Sequence, residues 1–246
     1  MNNVLSIKNI SKIFHTPQDE IMAIDDISLE IKAGDFVALV GPSGCGKSTL
    51  LSIINKQERA TDGTIEYYDK TIGYMLQDDS LFEWLNVLDN CLLGLKIQKK
   101  LNQETKEYVL DLLEKYGLKD FINSYPRNLS GGMRQRVALI RTLATKPDIL
   151  LMDEPFSALD FQSRTNISND VYRILKEQKK TLIIVTHDIS EAITLCNKVV
   201  VVTKRPAKIK NIYNIEFDHN IKPSDRRYDK LFNDYYALIR KDIDYE

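Results

Sequence analysis

Cysteine is scarce in this chain. Cys45, Cys91 and Cys196 are the only three among 246 residues, too few for a disulfide framework, and a reducing compartment is the expectation. Long apolar runs are also missing. No stretch approaches the ~18–20 apolar residues that a membrane-crossing helix requires. Runs such as Leu182–Val185 and Val199–Val202 have the length of strands. The opening Met1-Asn-Asn-Val-Leu-Ser-Ile-Lys lacks a basic region followed by an apolar core, so no signal peptide is expected. Any role at a membrane would then go through a partner. Nor is there an excess of one charge: 34 Lys and Arg stand against 35 Asp and Glu, a net charge of −1. No global basic field draws the chain onto nucleic acid or anionic lipid. Local basic clusters exist (Lys204, Arg205, Lys208 and Lys210; Arg226 and Arg227), and a solvated face explains them equally well. Internal repeats and low-complexity linkers are absent.

What is present is an ordinary globular composition, 43% hydrophobic and 28% charged, with ample material for a core. Its organising stretch is Gly41-Pro42-Ser43-Gly44-Cys45-Gly46-Lys47-Ser48-Thr49, which fits the phosphate-binding loop pattern G-x-x-x-x-G-K-[ST]. The apolar run Phe36–Val40 before it reads as a buried strand, and Leu50–Ile54 after it as a helix start. Without a Cβ, Gly41, Gly44 and Gly46 let the loop wrap closely with N–H groups aimed inward. A triphosphate placed there meets the positive end of the following helix. Lys47 supplies a compact charge. Ser48 offers a hydroxyl to Mg²⁺, which prefers phosphate and carboxylate oxygens.

Residues 1–35 read as an antiparallel β-unit, with Ile27–Ile31 alternating at period two and a turn over residues 15–20. Phe14 ends the first strand, where its ring could stack on a nucleotide base or simply join the core. Residues 61–64 read as a turn, followed by short strands at Ile65–Tyr68 and Ile72–Met75. Gln77 comes next, and by itself carries no function. Residues 78–146 change character and look helical. The clearest piece, Glu104–Leu118, puts Val109, Leu112, Leu113 and Tyr116 on one face. In Leu129-Ser130-Gly131-Gly132-Met133, Ser130 is a good N-cap for a helix ending before Pro147. Two glycines in its first turn cost helix propensity, roughly 1 kcal/mol each. That cost makes sense if an anion must approach the helix end. A capped helix with a flexible start fits equally.

Ile149–Met152 is a second buried run, ending in Asp153-Glu154-Pro155. Asp153, at a strand end beside a phosphate loop, is placed to hold Mg²⁺ directly or through water, and Glu154 to orient or deprotonate an attacking water. A helix is expected over Phe161–Lys180, a third strand over Leu182–Val185, then Thr186-His187-Asp188. His187 falls just past a strand's carboxyl end, where α/β sheets place ligands. A short helix Ile189–Cys196 has Glu191 in its first turn. Val199–Val202 is a fourth strand, and Ile209–Phe217 an edge strand. Residues 224–246 look helical, with Tyr228, Leu231, Phe232, Tyr235 and Leu238 along one side.

Taken together these residues resemble the ATP-binding subunit of ABC transporters. The phosphate loop, Gln77 at the Q-loop position, Leu129-Ser130-Gly131-Gly132-Met133 as the signature, Asp153 and Glu154 closing the Walker B strand, Ser157–Asp160 as the D-loop and His187 as the switch histidine occur in the family's order, over residues 1–205. Finer detail around Tyr125–Ala138 and Met152–Asp160 is similar to the nitrate, sulfonate, taurine and bicarbonate importers, a style shared by importers of vitamin precursors such as thiamine-pyrimidine precursors or riboflavin, and the short tail past Arg205-Pro206 agrees. One departure is Leu81-Phe82-Glu83-Trp84-Leu85, where the subgroup usually has proline in place of Glu83.

The resemblance implies a P-loop NTPase fold: an α/β, RecA-like parallel-sheet core with an N-terminal antiparallel β-subdomain and an inserted helical subdomain. The core would span 1–77 and 147–205, the helical signature part 78–146 and the tail 206–246. It implies ATP and Mg²⁺ as cofactors. Phe14 would stack on adenine, the loop Gly41–Thr49 would hold the phosphates, and Ser48, Gln77 and Asp153 would serve the metal. Glu154, His187 and Gln77 would act in hydrolysis. Ser130, Gly131 and Gly132 would cover the ATP of a second, head-to-tail copy, with Asp160 communicating across the homodimer. Integral membrane permease subunits and, indirectly, a substrate-binding protein would be partners, at the cytoplasmic face of the membrane. The competing class is a soluble ABC-type ATPase acting on nucleic acid or ribosomes. Near-neutral charge and the lack of a coiled-coil insertion or a second nucleotide domain argue against it, and no nucleic-acid partner is expected.

Overall fold

A computed structural model describes residues 2–17, 19–157, 159–218 and 221–244. Gln18 of the first turn, Ala158 within the Ser157–Asp160 string, residues 219–220 and the last two residues of the tail lie outside them.

Two sheets form the molecule. The smaller is antiparallel, in the order β2-β1-β4, from β1 (Asn3–His15), β2 (Glu20–Lys32) and β4 (Asp62–Glu66). In β2 the buried Ile27, Leu29 and Ile31 alternate with exposed Ser28, Glu30 and Lys32, the pattern of a sheet with one dry face. The larger sheet runs β5-β6-β7-β3-β8-β9: β5 (Ile72–Met75), β6 (Ile149–Asp153), β7 (Thr181–Val185), β3 (Phe36–Val40), β8 (Lys198–Val202) and β9 (Ile209–Asn214). The first five are parallel and β9 is an antiparallel edge.

Both faces of the large sheet are covered, so β3, β6 and β7 are buried at every position, as continuous apolar runs require. Successive side chains serve different cores. Phe36, Ala38, Leu150, Met152, Leu182 and Ile184 pack on one side with the helices α2 (Val87–Ile97), α3 (Gln103–Lys115), α4 (Gly131–Leu143), α5 (Phe161–Glu177), α6 (Ile189–Leu195) and α7 (Lys230–Asp244). Val37, Leu39, Leu151, Ile183 and Val185 pack on the other, with α1 (Lys47–Ile54) and the antiparallel sheet. The fold is that of a P-loop NTPase: an α/β core with an antiparallel β-unit and an inserted run of helices.

Because β5, β6, β7 and β3 are parallel and in register, their carboxyl ends share one edge. Asp153 closes β6, and Gly41, Gln77 and His187 follow the ends of β3, β5 and β7. The opposite edge carries the strand starts and the end of β9.

Several boundaries differ from expectation. The turn read at residues 61–64 is mostly strand. Gly63 joins β4 at φ +89°, so close to β1 that a Cβ would lie 2.3 Å from the Asn9 carbonyl oxygen. That β4 ends at Glu66, not Tyr68, and the edge strand ends at Asn214, not Phe217. Helix α5 stops at Glu177, and Lys179 follows at φ +52°. The tail is not one helix: a 3₁₀ turn, Pro223–Tyr228, precedes α7. Its buried side is Phe232 and Ile239, with Tyr235, Tyr236 and Ile243 packed alongside. Tyr228, Leu231 and Leu238, expected on that side, are exposed, since Tyr228 precedes the helix and Leu231 and Leu238 turn away from Ile239.

Candidate active site

The phosphate loop leaves β3 under tight steric control. A Cβ on Gly41 would sit 2.6 Å from the Val202 carbonyl oxygen, and one on Gly46, at φ +124°, 2.8 Å from that of Ala23. Only glycine fits either place. Lys47, buried at the first position of α1, donates from Nζ to the carbonyls of Gly41 (2.9 Å) and Pro42 (2.8 Å). The loop thus curls around its own cation. Ser43, Gly44 and Ser48 are exposed, and Thr49 is half-buried. Cys45 is buried among core residues, its thiol 3.7 Å from Lys47 Nζ at the centre of the loop.

Ser48 Oγ donates to Asp153 Oδ1 at 3.1 Å, joining the loop to the end of β6. Burial pushes the Asp153 carboxyl above the usual carboxylate range, and the neighbouring Glu154 charge adds to this, while the Ser48 bond opposes it. Glu154 follows at φ +43°, a strained conformation for a residue with a Cβ. Its N–H donates to the Val185 carbonyl at 2.9 Å, and its Oε2 lies 3.1 Å from His187 Nδ1. The end of β6 is thereby pinned to β7 while the Glu154 side chain is delivered to His187. A cavity of about 360 Å³ is bounded by Phe14, Ser43, Lys47, Ser48, Glu154 and Arg205, among others. Phe14 is half-buried, with Lys12 Nζ 4.7 Å from its ring centre. The sequence shows Arg205 only as a member of a local basic cluster. Its approach to the loop depends on how residues after β8 fold back, which spacing does not reveal.

Other expected residues stand apart. Gln77 is exposed beyond β5, and no hydrogen bond joins it to Ser48 or Asp153 among the described residues. Asp160 caps α5, accepting from the Ser163 N–H at 3.0 Å, and the Ser163 side chain and backbone together hold its carboxyl below the usual range. Ser130 caps α4 through Oγ, 3.3 Å from the Met133 nitrogen. Beside it Gly131 is exposed, and a Cβ there would meet nothing within 4 Å; a Cβ on Gly132 would make an ordinary 3.6 Å contact with Ile167. Nothing in this chain demands either glycine.

Two ionic networks have no counterpart in the sequence reading. Arg134, one turn into α4, grips Asp79 through Nε (2.7 Å) and Nη2 (2.9 Å) and reaches Glu83 through Nη1 (2.8 Å). Arg141 donates to the carbonyls of Ser80 and Asp79. The segment after Gln77 is therefore clamped to the signature helix, and Glu83 takes part in that clamp. Behind His187, Thr186 Oγ1 donates to Glu191, Asp188 caps α6, and Arg164 pairs with Asp188 at 3.2 Å. Glu191 is buried, which pushes its carboxyl up to about 7. One of its oxygens has no partner among the described residues.

A family model of ABC transporters matches residues 24–157, more than half of the chain. The chain belongs to the ABC transporter ATP-binding family. It is 41% identical to an uncharacterized ABC transporter ATP-binding protein, YtlC, of Bacillus subtilis, over 97% of this chain and 95% of the relative. Identity to the taurine import ATP-binding protein TauB of a Jannaschia species is 38%, over 97% and 92%. For the aliphatic sulfonates import ATP-binding protein SsuB of Bacillus cereus it is 39%, over 85% and 84%. Among solved structures, the dimeric, post-hydrolysis ATP-binding cassette MJ0796 bound to ADP and Pi superimposes with a TM-score of 0.75 at 30% identity, over 87% of this chain and 99% of that one.

No helix among the described residues is long and apolar enough to cross a membrane.

Proposed function

We propose that this chain is the ATP-binding and ATP-hydrolysing subunit of an importer for a small organic anion of the sulfonate or taurine class. The observation that carries the catalytic part is the Glu154–His187 contact at 3.1 Å on the rim of the phosphate-loop cavity. The names of the relatives support the import of sulfonates. The reading divides the chain into a core (1–77 and 147–205), a helical signature part (78–146) and a tail (206–246).

In this reading the Lys47 ammonium gives up the Gly41 and Pro42 carbonyls for β- and γ-phosphate oxygens, and the amides that begin α1 donate to the same anion. Ser48 and Asp153 fit Mg²⁺: both present oxygen, they are already in contact, and the raised Asp153 carboxyl marks a buried charge that a cation would neutralise. Gln77 would complete the protein's share. Bound there, the ion offsets charge on the phosphates. Glu154 orients the attacking water and accepts its proton. His187, steadied by the Glu154 contact, reaches the γ-phosphate. Ser130 and Gly131, exposed at a helix start, and the half-buried Gly132 cover the ATP of a second copy, with Asp160 nearby across the interface. Loss of the γ-phosphate removes the bridge, and the dimer opens. Membrane permease subunits, with a substrate-binding protein outside, would hold the dimer at the cytoplasmic face.

The test is affinity capture of the tagged chain from detergent-solubilised membranes with Mg-ATP, followed by mass spectrometry. A polytopic membrane subunit at stoichiometric yield is expected, together with ATPase activity of the complex. Recovery of ribosomes or nucleic acid in its place would move the protein to the soluble class of ABC ATPases.

A further inference from the structure

A second, larger cavity lies at the opposite edge of the main sheet. Its volume is about 650 Å³, within the range of small-molecule sites. It opens between the start of β3 (Gly34, Phe36), the outer part of α5 (Tyr172, Lys176) and the tail (Phe217, Arg226). None of these residues takes part in the nucleotide chemistry above.

Arg226 is 8% exposed. Its guanidinium carbon lies 5.1 Å from the Tyr172 ring centre and 5.3 Å from that of Phe217. It donates to the Thr194 carbonyl (2.8 Å) and the Tyr172 hydroxyl (3.1 Å), while its Nε is buried without a partner among the described residues. No carboxylate forms an ion pair with it among the described residues. A cation taken out of water ordinarily gains an anion, and ring faces and neutral acceptors offset the lost hydration only in part. Lys176 repeats the pattern from the solvent side. Its Nζ is 4.7 Å from the Phe36 ring centre and 5.7 Å from that of Tyr172, again with no ion pair among the described residues. Two cations therefore lean on the same tyrosine. The acids at the wall do not balance them. Asp35 is committed to Lys198 (3.1 Å) and to the Lys32 N–H (3.0 Å), and Glu216 is exposed.

We infer that this cavity binds a singly charged organic anion with a planar ring, an arylsulfonate or arylcarboxylate, the head group meeting Lys176 and Arg226 and the ring packing among Phe36, Tyr172 and Phe217. Such a ligand would brace the tail against β3 and α5. It would leave the nucleotide loops untouched, because they occupy the other edge of the sheet. A purely structural role, in which Arg226 only fastens the tail to α6, is the competing account.

The two accounts separate in calorimetric titration of the full chain with benzenesulfonate, benzoate and neutral benzenesulfonamide. One-to-one binding of at least one anion is expected, with the sulfonamide weaker by about tenfold or more. Lys176→Met, at an exposed position that does not threaten folding, should weaken the anion by about tenfold, or ~1.4 kcal/mol, with ATP affinity unchanged. Arg226→Gln should do the same if it folds. The inference is overturned if neither anion binds at millimolar concentration, if the sulfonamide binds as well as the anions, or if Lys176→Met changes nothing. ATP binding is read in the same samples, so failure here leaves the nucleotide site standing.

Discussion

The phosphate loop and the signature helix are both glycine-rich, and they are built on opposite principles. In the loop the glycines answer to their own chain: Gly41 and Gly46 have backbone oxygens of Val202 and Ala23 where a Cβ would go. At the start of α4, Gly131 faces open space. One half of the site is complete in a single molecule. The other half has a cap, an exposed turn and a conformational cost with no return inside the chain. Under the proposed function, a surface of that kind is explained by what approaches it, a second copy of the chain.

The first way to break this contrast is Lys47→Ala. Nucleotide binding should disappear in titration, since the cation at the centre of the loop is gone; an unchanged ATP affinity would remove the phosphate loop from the account. Next, Glu154→Gln should slow hydrolysis by about 10²–10⁴ while ATP still binds, and size-exclusion chromatography with Mg-ATP should show a dimer. Only monomers there would leave the signature helix without its partner. The sharpest comparison pairs two small substitutions. Gly41→Ala should destabilise the fold by about 1–3 kcal/mol in chemical denaturation, because a rigid backbone oxygen stands in its way. Gly131→Ala should leave stability equal or raised by up to about 1 kcal/mol, keep ATP affinity, and cut turnover about tenfold, or ~1.4 kcal/mol. Equal behaviour of the two would erase the distinction.

A pH dependence tests the support behind His187. Burial raises Glu191 to about 7 from an ordinary 4.5, so the folded state binds its proton more tightly than the unfolded chain. The sign follows: this contribution is full below about 4.5 and is lost as pH rises through about 7, a change on the order of 3 kcal/mol. Glu191→Gln should flatten the difference in unfolding free energy between pH 5 and pH 8 relative to the parent; a parallel pH profile would place the carboxyl in water. The smallest effect concerns Cys45. A thiol inside a phosphate loop suggests that thiol reagents should block ATP. Its burial leads to the opposite expectation: in the native state mass spectrometry should find it labelled only slowly, with ATP binding retained.

The sequence by itself determined the parallel core, the antiparallel β-unit, the loop and the order of the motifs. Those rest on local patterns: period-two alternation in Ile27–Ile31, continuous apolar runs in β3, β6 and β7, and glycine spacing around Lys47. Only the tertiary structure decided what depends on side chains distant in the chain. Arg205 lines the same cavity as the phosphate loop, Arg134 ties Asp79 and Glu83 to the signature helix, and the Cys45 thiol is buried beside Lys47 Nζ. Glu154 is held at φ +43° by a bond to Val185, and Tyr228, Leu231 and Leu238 face outward although the pattern of the tail put them inside. The reason is physical. Periodicity reports which face of an element is dry, whereas the partner of a charge and the strain on a backbone are set by segments that meet only when the sheet has closed.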